Sequence, residues 1–132
     1  MEIDKKRLFV FLLLVLFILS DCAIWRSKEE LRITSPTERA ELKYPRKTTV
    51  TWTTISKADN YAVIVEYSGE PYDYTSQNYY PLTKSNEGKV FTTKTTHTFH
   101  GIGGQVHRIK VMAYRKGKVI AETNWRYIDF LS

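Results

Sequence analysis

The sequence predicts an all-β fold, a single β-sandwich of about seven strands, and three observations carry that reading. In Tyr61-Ala62-Val63-Ile64-Val65-Glu66-Tyr67, the residues Tyr61, Val63, Val65 and Tyr67 recur every second position. A strand gathers such positions on one face, whereas a helix of about 3.6 residues per turn scatters them. Just upstream, Val50 and Trp52 share a face at the same period, and a polar Ser56-Lys57-Ala58-Asp59-Asn60 turn joins the two runs. Further β-branched and aromatic runs then follow at a spacing of roughly ten residues, with turn residues between them.

The chain starts with a different kind of segment. Lys5-Lys6-Arg7 form a basic head, Leu8 to Leu19 is an unbroken apolar run, and Ser20-Asp21-Cys22 follow. The run is short for a bilayer span, which takes about 20 apolar residues, and fits the apolar region of a secretory signal over residues 1–21. Leu19-Ser20-Asp21-Cys22 resembles the lipobox of bacterial lipoproteins, with Asp21 standing where that family has a small uncharged residue. The resemblance implies diacylglycerol on the Cys22 thiol, cleavage before Cys22 and acylation of the new amino group. Ala23 after the cysteine points, by the same resemblance, to the outer membrane of the bacterial envelope rather than the inner. The alternative is an uncleaved anchor in which Ala23, Ile24 and Trp25 extend the apolar segment, at the cost of an Asp inside a lone membrane helix. Cys22 is the only cysteine among the 132 residues, so an intrachain disulfide is impossible and the domain stands on its core.

Residues 22–30 read as a tether, and 31–130 as the sandwich. Leu31 and Ile33 share a face of a first strand that Ser35-Pro36 ends, since proline cannot donate to a ladder. Thr37 to Lys47 is polar, with Leu42 and Tyr44 as its possible anchors. Strands over Thr48 to Thr54 and Tyr61 to Ser68 follow. Gly69 to Lys84 carries Tyr72, Tyr74, Tyr79 and Tyr80 among Asp, Ser, Gln and Asn. That composition suits a binding loop, because Tyr supplies contact area at low entropy cost; equally, the rings could fold back over the sandwich. Asn86-Glu87-Gly88-Lys89 is a turn with Gly88 suited to positive φ. Val90 to Thr93 and Thr95 to Phe99 are short Thr-rich strands with the composition of a sheet edge. In Val106 to Tyr114, His107, Ile109, Val111 and Ala113 take one face, Arg108 and Lys110 the other. Lys116-Gly117 signals a hairpin, and Val119 to Tyr127 returns with Val119, Ala121, Thr123, Trp125 and Tyr127 on one face.

Val50-Thr51-Trp52 followed by Ala58-Asp59-Asn60-Tyr61-Ala62-Val63-Ile64-Val65 resembles strands B and C of a fibronectin type III domain, a relative of the immunoglobulin-like sandwiches. The segment from Thr98 to Ala113 resembles the family's E–F corner and strand F, with Ile102 for its Leu, Gly103-Gly104 for its turn and His107 for its corner Tyr. That resemblance implies a binding surface or spacer and no catalytic residue.

The chemistry of the remaining residues points the same way. His97, His100 and His107 are the only histidines, and zinc needs three or four convergent ligands; His97 and His100, three apart on a strand, face opposite ways. No Gly-x-Ser-x-Gly elbow occurs, and no Lys-Ser/Thr follows Gly101-Ile102-Gly103-Gly104, so neither a nucleophile turn nor a phosphate loop is present. The expectation is therefore a non-enzyme without metal or cofactor. Net charge is +6, which serves solubility and also favours acidic partners. Arg115, Lys116 and Lys118 cluster at the hairpin tip, where Lys57 joins them if neighbouring loops share one end. No aromatic residues interleave with them as nucleic-acid binding requires. The sequence thus predicts a lipid-anchored envelope protein that binds a protein or glycan through Tyr72, Tyr74, Tyr79 and Tyr80 or through Arg115, Lys116 and Lys118. The alternative is an accessory subunit that pairs with a larger envelope complex along the Val90–Phe99 edge.

Overall fold

The computed structural model describes residues 29–71, 73 and 75–131. The expected signal segment, most of the expected tether with Cys22, and Tyr72 and Tyr74 lie outside the described residues. Alternating apolar residues produce β1 (Ile33–Ser35), β2 (Ala40–Leu42), β3 (Lys47–Trp52), β4 (Asn60–Tyr67), β5 (Tyr80–Pro81), β6 (Lys89–Thr92), β7 (Thr96–His100), β8 (Val106–Arg115), β9 (Lys118–Glu122) and β10 (Arg126–Phe130). The fold is all-β and consists of two sheets. The smaller has the order β1-β3-β7; the larger runs β2-β10-β8-β4-β5, with β6 also on β4 and β9 also on β8. Among the described residues, no helix is long and apolar enough to cross a membrane.

Period-2 patterning determines what each sheet presents inward. Ile33, Val50, Trp52 and Phe99 from the small sheet meet Tyr61, Val63, Val65, Ile109, Val111, Ala113, Ile128 and Phe130 from the large one, all of them buried. Trp52 and Tyr61 pack edge to face with ring centroids 5.7 Å apart. The Tyr61 hydroxyl accepts the Ile55 N–H at 2.9 Å, so this core tyrosine also satisfies the bend after β3.

Two stretches depart from the sequence reading. The final strand is broken: β9 lies along Met112–Arg115 of β8 and β10 along Val106–Ile109. At the break the Thr123 N–H donates to the Val111 carbonyl at 2.9 Å, and the Thr123 hydroxyl accepts the Val111 N–H at 3.1 Å. A side chain here does the work of backbone, so the ladder stays satisfied while the phase of the strand changes. Ile128 and Phe130 therefore enter the core, and Trp125 and Tyr127 turn outward over the large sheet. Within Thr37–Lys47, Ala40–Leu42 forms a strand parallel to β10, and Ala40 and Leu42 pack on the core. Tyr44, expected as an anchor, is 76% exposed, with Arg46 5.3 Å over its ring. A strand of three residues is too short for its period to be read.

Candidate functional site

Register divides the sandwich into two poles. Asn60 pairs with Tyr114 at one end of β4, and Tyr67 pairs with His107 at the other; β4 spans eight residues, so the poles lie roughly 25 Å apart. The predicted basic tip sits at the first pole. Lys116 and Gly117 have φ of 49° and 76°, the paired left-handed conformations of a two-residue hairpin turn. The Lys116 N–H donates to Asp59 Oδ2 at 2.6 Å, and the Arg115 guanidinium to the Lys57 carbonyl at 3.1 Å. Lys57 thus joins Arg115, Lys116 and Lys118 as expected, and all of these are exposed. Lys94, in the β6–β7 turn beside Trp52, reaches the same end. So does the start of the described chain, since Glu29 Oε2 accepts the Ser56 N–H at 2.8 Å and the Ser56 hydroxyl at 2.9 Å.

Tyr79 and Tyr80 lie at the second pole. Leu82 N–H donates to the Val65 carbonyl and Tyr80 pairs with Tyr67, which draws the end of the tyrosine-bearing connection against β4. Tyr80 is 51% exposed. Its ring covers Gly69, where a β-carbon would come within 2.7 Å of it. Tyr79 folds back instead of projecting. Its ring lies 4.1 Å from the Arg108 guanidinium, whose other side meets the Trp125 ring, also at 4.1 Å. Arg108 is held in turn by Glu66, with Nε and one terminal nitrogen each 2.7 Å from Oε1. The stack continues through Lys110 over Trp125 at 4.8 Å, and through Tyr79 against Tyr127 and Arg39 over Tyr127 at 4.9 Å. Burial raises the Tyr79 hydroxyl above its ordinary pKa. It likewise raises the Asp129 carboxyl, which Arg39 approaches to 3.7 Å. Alternation had marked Arg108 and Lys110 only as outward-facing; their aromatic partners depended on the phase change after Thr123.

The corner of this pole is built from buried polar groups. The Ile102 N–H donates to His107 Nε2 at 3.1 Å, and His107 Nδ1 donates to the Gln105 carbonyl at 3.1 Å. An amide N–H can only donate, so Nε2 must be unprotonated and the ring neutral. Burial accordingly lowers the His107 pKa to about 4, only partly opposed by the Gln105 carbonyl. The Ser68 hydroxyl bonds Gln105 Oε1 at 3.0 Å, and the Phe130 ring stands edge-on to His107 at 4.4 Å. Gly104, at φ 70°, donates to the Phe130 carbonyl at 2.6 Å and closes the turn. His97 and His100 take opposite faces of β7, His97 against Phe99 and His100 exposed. Among the described residues, no group of three His, Cys, Asp or Glu side chains converges as a metal site.

An open groove of about 420 Å³ runs between Glu30–Ile33 and Glu122–Arg126, along the seam of the two sheets. Arg126 spans the seam, donating to the Pro36 and Ile33 carbonyls at 3.0 and 2.9 Å. Glu30, Arg32, Glu38, Glu122 and Arg126 give the groove mixed charge.

Compared with known protein families, with curated proteins and with solved structures, the chain matches none.

Proposed function

We propose that the protein is a bacterial envelope lipoprotein, held in the outer membrane by acylated Cys22, whose fibronectin type III-like sandwich binds a protein or glycan and catalyses nothing. The fold half of this reading is supported by strand order. The first, second and fifth strands of such a sandwich share one sheet as β1-β3-β7, while β4, β8 and the β9/β10 pair form the other. Further support comes from His107, which bonds back to the Ile102 amide at the position of the family's corner tyrosine.

The observation that carries the binding role is polarity. The chain arrives at one pole through Glu29, and the tyrosine-bearing connection ends at the other, on Tyr79 and Tyr80. A module tethered by its N-terminus thereby presents Tyr80, where the tyrosine-bearing connection ends, away from its anchor, while Tyr79 fastens that end to the sheet. The second reading, edge pairing with a larger complex, is favoured by β7, which is hydrogen-bonded to β3 alone among the described strands.

A photo-crosslinking side chain placed at Tyr74 or at Thr98 of the full chain in cells separates the two. The binding reading predicts adducts from position 74 that disappear when Tyr72 and Tyr80 become Ser. Adducts from position 98 alone would replace it with edge pairing.

A further inference from the structure

We infer that the pole carrying Lys57, Lys94, Arg115, Lys116 and Lys118 rests on the membrane that anchors the chain and recognises anionic phospholipid headgroups there. The inference rests on the proposed N-terminal anchoring, and it holds equally for a lipidated Cys22 and for an uncleaved apolar segment. Its geometric basis is where the described chain begins. Glu29 is fixed to Ser56, one residue from Lys57, and the Glu30 carbonyl accepts the Thr53 hydroxyl at 2.6 Å, so the tether leaves the body from the basic pole itself. From Cys22 to Glu29 a fully extended chain spans at most about 25 Å. The opposite pole lies a sandwich length further away, so contact there would require the tether at nearly its full extension.

The surface chemistry of this pole suits a headgroup layer. The carboxylate neighbours of the basic groups are engaged inward: Asp59 holds the Lys116 amide and Glu29 holds Ser56. The Lys57, Lys94, Arg115, Lys116 and Lys118 side chains are exposed, and none of them forms an ion pair among the described residues. Directly behind the tip, Val119 and Ile120 are 47% and 43% exposed on the outer edge of β9. A cationic turn backed by an exposed apolar pair can place charge among phosphates and apolar carbon at the acyl boundary. Because the tether already holds the body near the surface, even weak headgroup contacts act at high effective concentration. Contact here would also fix the orientation of the module and aim the tyrosine pole outward.

The test uses the full chain, purified from membranes and reconstituted into vesicles of phosphatidylcholine alone or with about one-third phosphatidylglycerol, enough for an anionic surface. Flotation reports anchoring, and amide hydrogen exchange reports contact. The expected result is flotation with both vesicles, together with exchange over residues 115–120 slowed about tenfold or more only on the anionic ones, since each basic group near such a surface is worth about fivefold in binding. High salt and the Lys116→Glu/Lys118→Glu variant should both abolish the slowing, while β4 and β8 amides remain protected as a control for folding. Flotation with both vesicles but equal tip exchange would overturn the inference while leaving anchoring intact. Slowing that persists on pure phosphatidylcholine, or in detergent without vesicles, would also overturn it, as contact without headgroup recognition. Failure to float with either would overturn the anchoring reading itself.

Discussion

The two poles of the sandwich are held together by different chemistry. At the basic pole the connections are tied through backbone groups: the Lys116 amide to Asp59, the Lys57 carbonyl to Arg115, the Ser56 amide to Glu29. Most of the charged side chains are left over and point into solvent. At the tyrosine pole the side chains themselves are the structure. His107, Ser68 and Gln105 are buried and bonded to each other or to backbone, and Arg108 is stacked between two rings. The contrast is one of which side chains hold the fold. Substitution of His107, Gln105, Arg108 or Tyr79 at the tyrosine pole costs folding free energy, whereas substitution of the exposed Tyr80 or of the basic tip alters chiefly what the surface meets.

The sharpest way to break that contrast is at the corner. Replacing His107 by Phe keeps the ring volume but strands the Ile102 N–H and leaves the Gln105 carbonyl with the Phe130 N–H as its remaining donor. An expected loss of about 2 kcal/mol in denaturant unfolding follows. The same residue carries a pH signature. Its folded pKa of about 4 lies below the unfolded value near 6.5, so the unfolded chain takes up the proton first as pH falls. Its contribution is complete above pH 6.5, declines by about 1.4 kcal/mol per unit from there to about pH 4, and is constant below. Burial lowers His97 in the same direction and raises Asp129, which works oppositely. The wild-type profile minus that of His107→Phe isolates the corner histidine, and a flat difference would show that the ring is not buried neutral.

Next in size is Arg108→Met, which keeps the stem but removes the cation from between Tyr79 and Trp125 and strips Glu66 of its partner. A loss of about 2 kcal/mol is expected, with the Trp125 fluorescence shifting as its neighbour goes. Tyr79→Leu removes one face of the same stack and should cost about 1 kcal/mol. The smallest effect belongs to Lys116→Gln/Lys118→Gln, expected within about 0.5 kcal/mol of wild type in the same titration. A large loss there would mean that the tip is structural and would erase the difference between the poles.

How much of this was legible in the sequence depended on the length over which a pattern could run. The runs at Val50–Trp52, Tyr61–Tyr67 and His107–Ala113 are long or strong enough for period 2 to assign both strand and inner face. Val50, Trp52, Tyr61, Val63, Val65, Ile109, Val111 and Ala113 stand in the core where alternation put them, whereas Tyr67, at the strand end, is half-buried against Tyr80 and His107. Lys116-Gly117 was readable as a hairpin because two successive positive φ values are a local requirement. The parallel strand Ala40–Leu42 was not readable, since its three residues acquire a strand's conformation only from β10 beside them. Thr123 hid the rest. Its hydroxyl substitutes for a ladder group, moves Ile128 and Phe130 inward, and delivers Trp125 and Tyr127 to Arg108 and Arg39. The basic tip was legible as composition, but its sharing of a pole with the start of the described chain is a fact of three-dimensional register alone.

The account turns on the N-terminus being the membrane end of the molecule. The most direct measurement is the mass of the N-terminal peptide from membrane-fractionated protein, wild type beside Cys22→Ala. The account predicts a wild-type peptide that begins at Cys22 and carries acyl mass, and a variant that carries none. A peptide that begins beyond Cys22 without lipid, from protein recovered in the soluble fraction, would contradict it and leave the basic pole with no membrane to face.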